Sequence, residues 1–76
     1  MNKKFNIQNI HFENDVMLIL VDNQLVKINL EDISDKLFKA TMSERNNYSI
    51  SPSGYGIHWN LIDEDLSIKN LVINKL

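Results

Sequence analysis

Apolar and polar positions change their period as the chain proceeds. Ile7, Ile10 and Phe12 give a ragged apolar pattern that ends at Glu13-Asn14-Asp15, which reads as an edge strand followed by a reversal. Val16-Met17-Leu18-Ile19-Leu20-Val21 is continuous and apolar between Asp and Asn residues. Its length favours a strand covered on both faces, and the meander places it centrally. Asp22-Asn23 supplies a two-residue turn, and Val26, Ile28 and Leu30 then share one face of a third strand. From Asp32 to Ala40 the period becomes helical, with Ile33, Leu37 and Ala40 on one side, acidic residues early and Lys36 and Lys39 late.

Thr41-Met42-Ser43-Glu44 has the spacing of a capping box, so a second helical turn is predicted from Thr41 into Arg45, ended by Asn46-Asn47. Alternation returns at Tyr48-Ser49-Ile50 and at Ile57-His58-Trp59. The intervening Pro52-Ser53-Gly54-Tyr55-Gly56 offers the fixed φ of proline and the freedom of two glycines, which makes this a hairpin with Trp59 in the core. Asp63-Glu64-Asp65 precedes Ser67, an N-cap for a final helix with Ile68, Leu71 and Val72 on its apolar side. The three carboxylates would then sit at the positive helix end. The predicted fold is α+β: a small antiparallel sheet of about five strands, meander plus hairpin, with two or three short helices. No repeat or linker divides the chain, so residues 1–76 are read as a single domain.

Composition narrows the class. A chain of 76 residues, 43% hydrophobic and 24% charged, is that of a small folded domain of modest stability. With no cysteine there is neither a disulfide framework nor a thiolate metal site, which points to a reducing compartment, the cytoplasm. The longest apolar run, Val16 to Val21, is too short to cross a membrane as a helix or to serve as a signal sequence. The net charge is −2 and the basic residues form no sustained stripe, which argues against a dedicated nucleic-acid binder.

The residues with most chemical potential are His58 and the acidic trio Asp63, Glu64 and Asp65. A histidine beside carboxylates can bind a metal or form an acid–base pair. The plainer reading makes His58 a solvent-facing strand residue and the trio a helix-start arrangement. The absence of a second histidine at ligand spacing, a phosphate loop or a paired nucleophile favours it. Arg45 suits a bidentate carboxylate contact, with the 63–65 cluster as the obvious acceptor inside the chain and a partner's carboxylate as the alternative. Among the aromatics, Tyr55 in the turn is the better exposed contact.

Arg45, Asn46, Tyr48 and Ile50, then Gly56-Ile57-His58-Trp59, then Ile62-Asp63-Glu64-Asp65-Leu66-Ser67, with Ala40-Thr41 and Glu44 also fitting, form a pattern that resembles the small bacterial family called domain of unknown function 2442. The resemblance covers nearly the whole chain. Members often carry proline directly after the tryptophan, where this chain has Asn60; a proline would end the strand there. The resemblance implies a small α+β fold and an uncharacterised function. Such proteins are similar to partners of small toxin-like proteins encoded beside them, which implies an antitoxin or adaptor role.

The expectation is therefore a protein-binding module and not an enzyme, without catalytic, cofactor or metal residues. It would be an inhibitory, antitoxin-like partner of a basic protein, and a homodimer is compatible with the sequence. The candidate contact residues are Arg45, Tyr55, His58, Asp63, Glu64 and Asp65, with an exposed strand edge as a further contact. Two alternatives stand beside it. One is a nucleic-acid-associated regulator that gathers Lys3, Lys4 and Lys75 by dimerisation. The other is a metal-dependent enzyme centred on His58.

Overall fold

The computed structural model describes residues 5–52 and 54–73, which form six strands and four short helices. Strands β1 (Ile7–Glu13), β2 (Val16–Val21) and β3 (Gln24–Asn29) make one antiparallel sheet with β2 in the centre, as the meander predicts. Asp22 and Asn23 join β2 to β3 with φ of 50° and 66°, the signs a type I′ turn requires and a pair of residue types that tolerate them.

The raggedness of β1 has a local cause. The register steps between Ile7 and Asn9, so Ile7 faces Val21 while Ile10 and Phe12 face Ile19 and Met17. Odd and even positions thus share the core face across a bulge at Gln8. The Gln8 side chain takes up the slack: Asn23 N–H donates to Gln8 Oε1 at 2.7 Å, and Gln8 Nε2 donates to Asn23 Oδ1 at 3.0 Å.

After β3, the interval to β4 holds α1 (Leu30–Ile33), α2 (Asp35–Phe38) and α3 (Met42–Arg45). Strands β4 (Tyr48–Ile50), β5 (Gly56–Trp59) and β6 (Glu64–Ser67) follow as a second sheet with β5 in the centre, and α4 (Ile68–Ile73) closes the described chain. The single sheet of about five strands is thereby corrected to two sheets of three. Helices separate the meander from the hairpin, and β4 and β6 both pair with β5.

Other expectations need amendment. Met17, Ile19 and Val21 are buried, but Val16, Leu18 and Leu20 on the opposite face of β2 are only half-buried. Their cross-strand neighbours His11, Lys27 and Leu25 are exposed, so β2 is sealed on one face and not on both. The predicted helix from Asp32 to Ala40 is broken at Ser34, which is extended at φ −157° and ψ 110°. Ser34 Oγ accepts the N–H of Leu37 at 3.1 Å, capping α2, and donates to Glu64 Oε2 at 2.6 Å. A carboxylate from another strand thus holds the break open. The capping box at Thr41 forms in both directions, Thr41 N–H to Glu44 Oε1 at 2.8 Å and Glu44 N–H to Thr41 Oγ1 at 3.1 Å.

One apolar cluster joins the sheets. Met17, Ile19, Ile28, Leu30, Leu37, Ile57, Trp59 and Ile68 are fully buried within it. Trp59 Nε1 donates to the carbonyl of Arg45 at 2.8 Å, and its ring tilts against Tyr48 on the next strand at 6.3 Å between centroids. In the hairpin turn, where Ser53 lies outside the described residues, Gly54 has φ 74° and passes so near the carbonyl of Phe5 that a Cβ would fall on its oxygen.

Candidate functional site

The outward face of the second sheet is fixed by register. Ile57 and Trp59 point into the core, so His58 points out, opposite Ser49 on β4 and Asp65 on β6. Its imidazole is held at both ends: Nδ1 lies 2.7 Å from Asp65 Oδ1 and Nε2 lies 2.8 Å from Asn60 Oδ1. Both nitrogens face oxygen atoms, an arrangement the imidazolium satisfies as a double donor. The hydrogen bond to Asp65, then that to Asn60, and the negative charges of Asp65 and Asp63 raise the His58 pKa above its ordinary 6.5. Ser49, His58 and Asp65 form a row of the residue types used in nucleophilic catalysis. The connection is absent, because the nitrogen that would have to reach the serine is held by Asn60.

The acidic trio is divided. Asp63 lies in the β5–β6 turn with φ 51°, its carbonyl accepting from Lys36 Nζ at 3.0 Å. Glu64 and Asp65 are strand residues of β6, so the trio is not a helix start; α4 is capped by Ser67 alone, through a long 3.5 Å bond from Asn70 N–H. Glu64 is half-buried and committed, one oxygen to Ser34 and the other to the Asp65 N–H at 3.0 Å. Asp65 is open to solvent, with a side chain 76% exposed.

Arg45 is placed differently from the expectation. It is buried, and it pairs not with residues 63–65 but with Asp15 Oδ1, 3.0 Å from Nη2. Its Nε also donates to the Leu37 carbonyl at 3.0 Å, Nη1 to Asn14 at 2.6 Å and Nη2 to Phe38 at 2.9 Å. The pairing is internal, but its acceptor is Asp15 of the β1–β2 turn, because Arg45 on α3 also reaches the carbonyls of Asn14 in that turn and of Leu37 and Phe38 on α2. Arg45 therefore serves the fold, and the exposed part of the candidate set reduces to Tyr55, His58, Asp63 and Asp65.

Beside this face an open groove of about 860 Å³ runs between β6, α1, α4 and the β4–β5 turn. Ile33, Leu66 and Leu71 line it with Tyr55 and the acidic residues Asp32 and Asp65. The sequence places Asp32, with Asp22, Glu31, Asp35 and Asp63 to Asp65, in an acidic surface that could meet a basic protein, and gives Asn60 no part in the site. The departure from proline after Trp59 marked the position of Asn60, and only the register assigns it a role.

Among the described residues no group of three or more His, Cys, Asp or Glu side chains is arranged to hold a metal ion. No helix among them is long and apolar enough to cross a membrane. Lys3, Lys4 and Lys75, the basis of the nucleic-acid alternative, lie outside the described residues. A family model described as Protein of unknown function (DUF2442) matches residues 7–75. No curated protein and no solved structure matches the chain.

Proposed function

The chain belongs to the DUF2442 family, and from that premise we propose that it works as a small protein-binding module, an inhibitory, antitoxin-like partner of a basic protein. The observation that carries this reading is the groove beside β6, where an apolar floor, the exposed Tyr55 and two carboxylates are presented together. An aromatic residue beside an apolar floor is the composition of an interface centre, and charges at its margin select a partner of opposite sign. The exposed Asp63 extends the negative margin, while a basic partner would be one whose own ligands are anionic.

Affinity capture from the native host tests this, comparing the wild type with an Asp32→Asn, Asp65→Asn variant of equal melting temperature. The expected result is one basic protein retained by the wild type and lost from the variant, which then binds the purified chain in stoichiometric amount by calorimetry. Equal retention by both forms, or recovery of nucleic acid alone that leaves with salt, would overturn the reading.

A further inference from the structure

We propose, as a refinement resting on the protein-binding reading, that the groove takes a lysine or arginine side chain carried on a segment of the partner, and that this cation and the proton on His58 compete for the Asp65 carboxylate. The lining fits such a guest from stem to tip. Ile33, Leu66 and Leu71 offer an apolar bed for the aliphatic stem, and Asp32 and Asp65 offer charge-assisted acceptors for its head. Tyr55, 42% exposed, adds an aromatic ring on which a cation can rest. Among the described residues no Lys, Arg or His lines the groove and the Asp32 carboxylate engages no other side chain, so that an anionic guest would meet repulsion from Asp32 and Asp65.

The competition follows from Asp65 belonging to two sites, since this residue lines the groove and its carboxylate also faces His58 Nδ1 at 2.7 Å. With His58 protonated, the Asp65 charge is already matched; on loss of that proton the full negative charge is available to the groove. The groups facing His58 are Asp65 from β6, Asp63 and Asn60 from the β5–β6 turn and the neutral Ser49 from β4. Of these only Asp65 also lines the groove. A guest cation there stabilises neutral His58, and by reciprocity neutral His58 favours the guest.

The test uses the full isotopically labelled chain and capped tripeptides Val-Lys-Val, Val-norleucine-Val and Val-Glu-Val, followed by NMR on either side of the His58 titration midpoint. The lysine peptide is expected to perturb the amides of Tyr55, Ser67 and Asn70, to bind about fivefold more tightly above the midpoint than below it, and to lower that midpoint when bound. The other two peptides should bind at least about fivefold more weakly. Asp32→Asn should weaken the lysine peptide without moving the His58 midpoint of the free chain, and His58→Gln should abolish the pH dependence. Equal binding of lysine and norleucine peptides, no response at millimolar peptide, or an unmoved midpoint at saturation would overturn the proposal. Capture of a basic partner alongside any of these leaves the module reading standing and sinks only the refinement. A responsive groove with no captured protein overturns the module reading and, with it, the partner segment as the source of the cation.

Discussion

His58 and Arg45 each face a carboxylate, and burial separates what they do. His58 stands on the solvent face, so its pairing with Asp65 governs protonation more than stability. Its titration midpoint should lie above 6.5 by NMR, and Asp65→Asn, which removes the leading cause of the shift, should lower it. Because the folded value is raised above the unfolded one, the stabilisation from this contact is complete below the unfolded value and is lost as pH rises through the folded value. The wild type should thus lose its advantage over Asp65→Asn, in urea midpoints, as pH climbs through that range. Arg45 is buried and its donors satisfy carbonyls of α2 and of the β1–β2 turn, whereas Asp15 remains 62% exposed. Arg45→Met should therefore cost about 3 kcal/mol, mainly through stranded carbonyl groups, while Asp15→Asn should cost less than about 1 kcal/mol. Urea unfolding of the two variants checks the asymmetry, and equal losses would place the energy in the ion pair instead. The sequence suggests that Arg45 pairs inside the chain but points to the 63–65 cluster, and Asp15 becomes the acceptor only once the fold brings α3 to the β1–β2 turn.

The elements most readable from the pattern are those whose cause is local. β2 has the predicted bounds, β3 lies one residue earlier than the expected Leu25–Leu30 because Leu30 opens α1, and the α3 capping box is complete within four positions of sequence, Thr41 to Glu44. Misread elements have distant causes. The Asp32–Ala40 periodicity is sound as a helical pattern, but the Glu64 carboxylate, 30 residues away, captures the Ser34 hydroxyl at the break. β6 was unreadable for a related reason: Glu64-Asp65-Leu66-Ser67 carries one apolar residue, and pairing with β5 makes it a strand. Ser34 consequently links two levels of structure, capping α2 and fastening it to β6. Ser34→Ala should cost about 1–2 kcal/mol, more than a cap alone in an exposed helix. A double-mutant cycle with Glu64→Ala should return a coupling of about 1 kcal/mol. Strict additivity would mean that the two sites act independently and that the helix break has another origin.

The two sheets share no strand, yet they are built to unfold together. Ile19 and Ile28 from the first sheet and Ile57 and Trp59 from the second belong to one buried cluster. Arg45 fastens the same junction in polar terms, its side chain on the β1–β2 turn and its carbonyl on the Trp59 indole. Each sheet buries its apolar face in the cluster it shares with the other sheet and the helices between them. A chain of this size has a total stability of roughly 4–11 kcal/mol, too little to divide between independent halves. Trp59, the only tryptophan, sits in the second sheet and makes the point measurable. Ile19→Val, a change wholly in the first sheet, should cost about 1 kcal/mol and lower the urea midpoint by about 1 M. The shift should be the same whether unfolding is followed by Trp59 fluorescence or by far-ultraviolet circular dichroism. A Trp59 signal that holds its midpoint while the dichroism moves would mean that the shared cluster does not couple the sheets. The binding face would then be carried by a hairpin unit stable without the meander. Coincident transitions instead make the groove between β6, α1 and α4 dependent on the whole chain, so that partner capture should survive Ile19→Val in water and be lost, with the contact face unaltered, at the lower urea concentration where that variant unfolds.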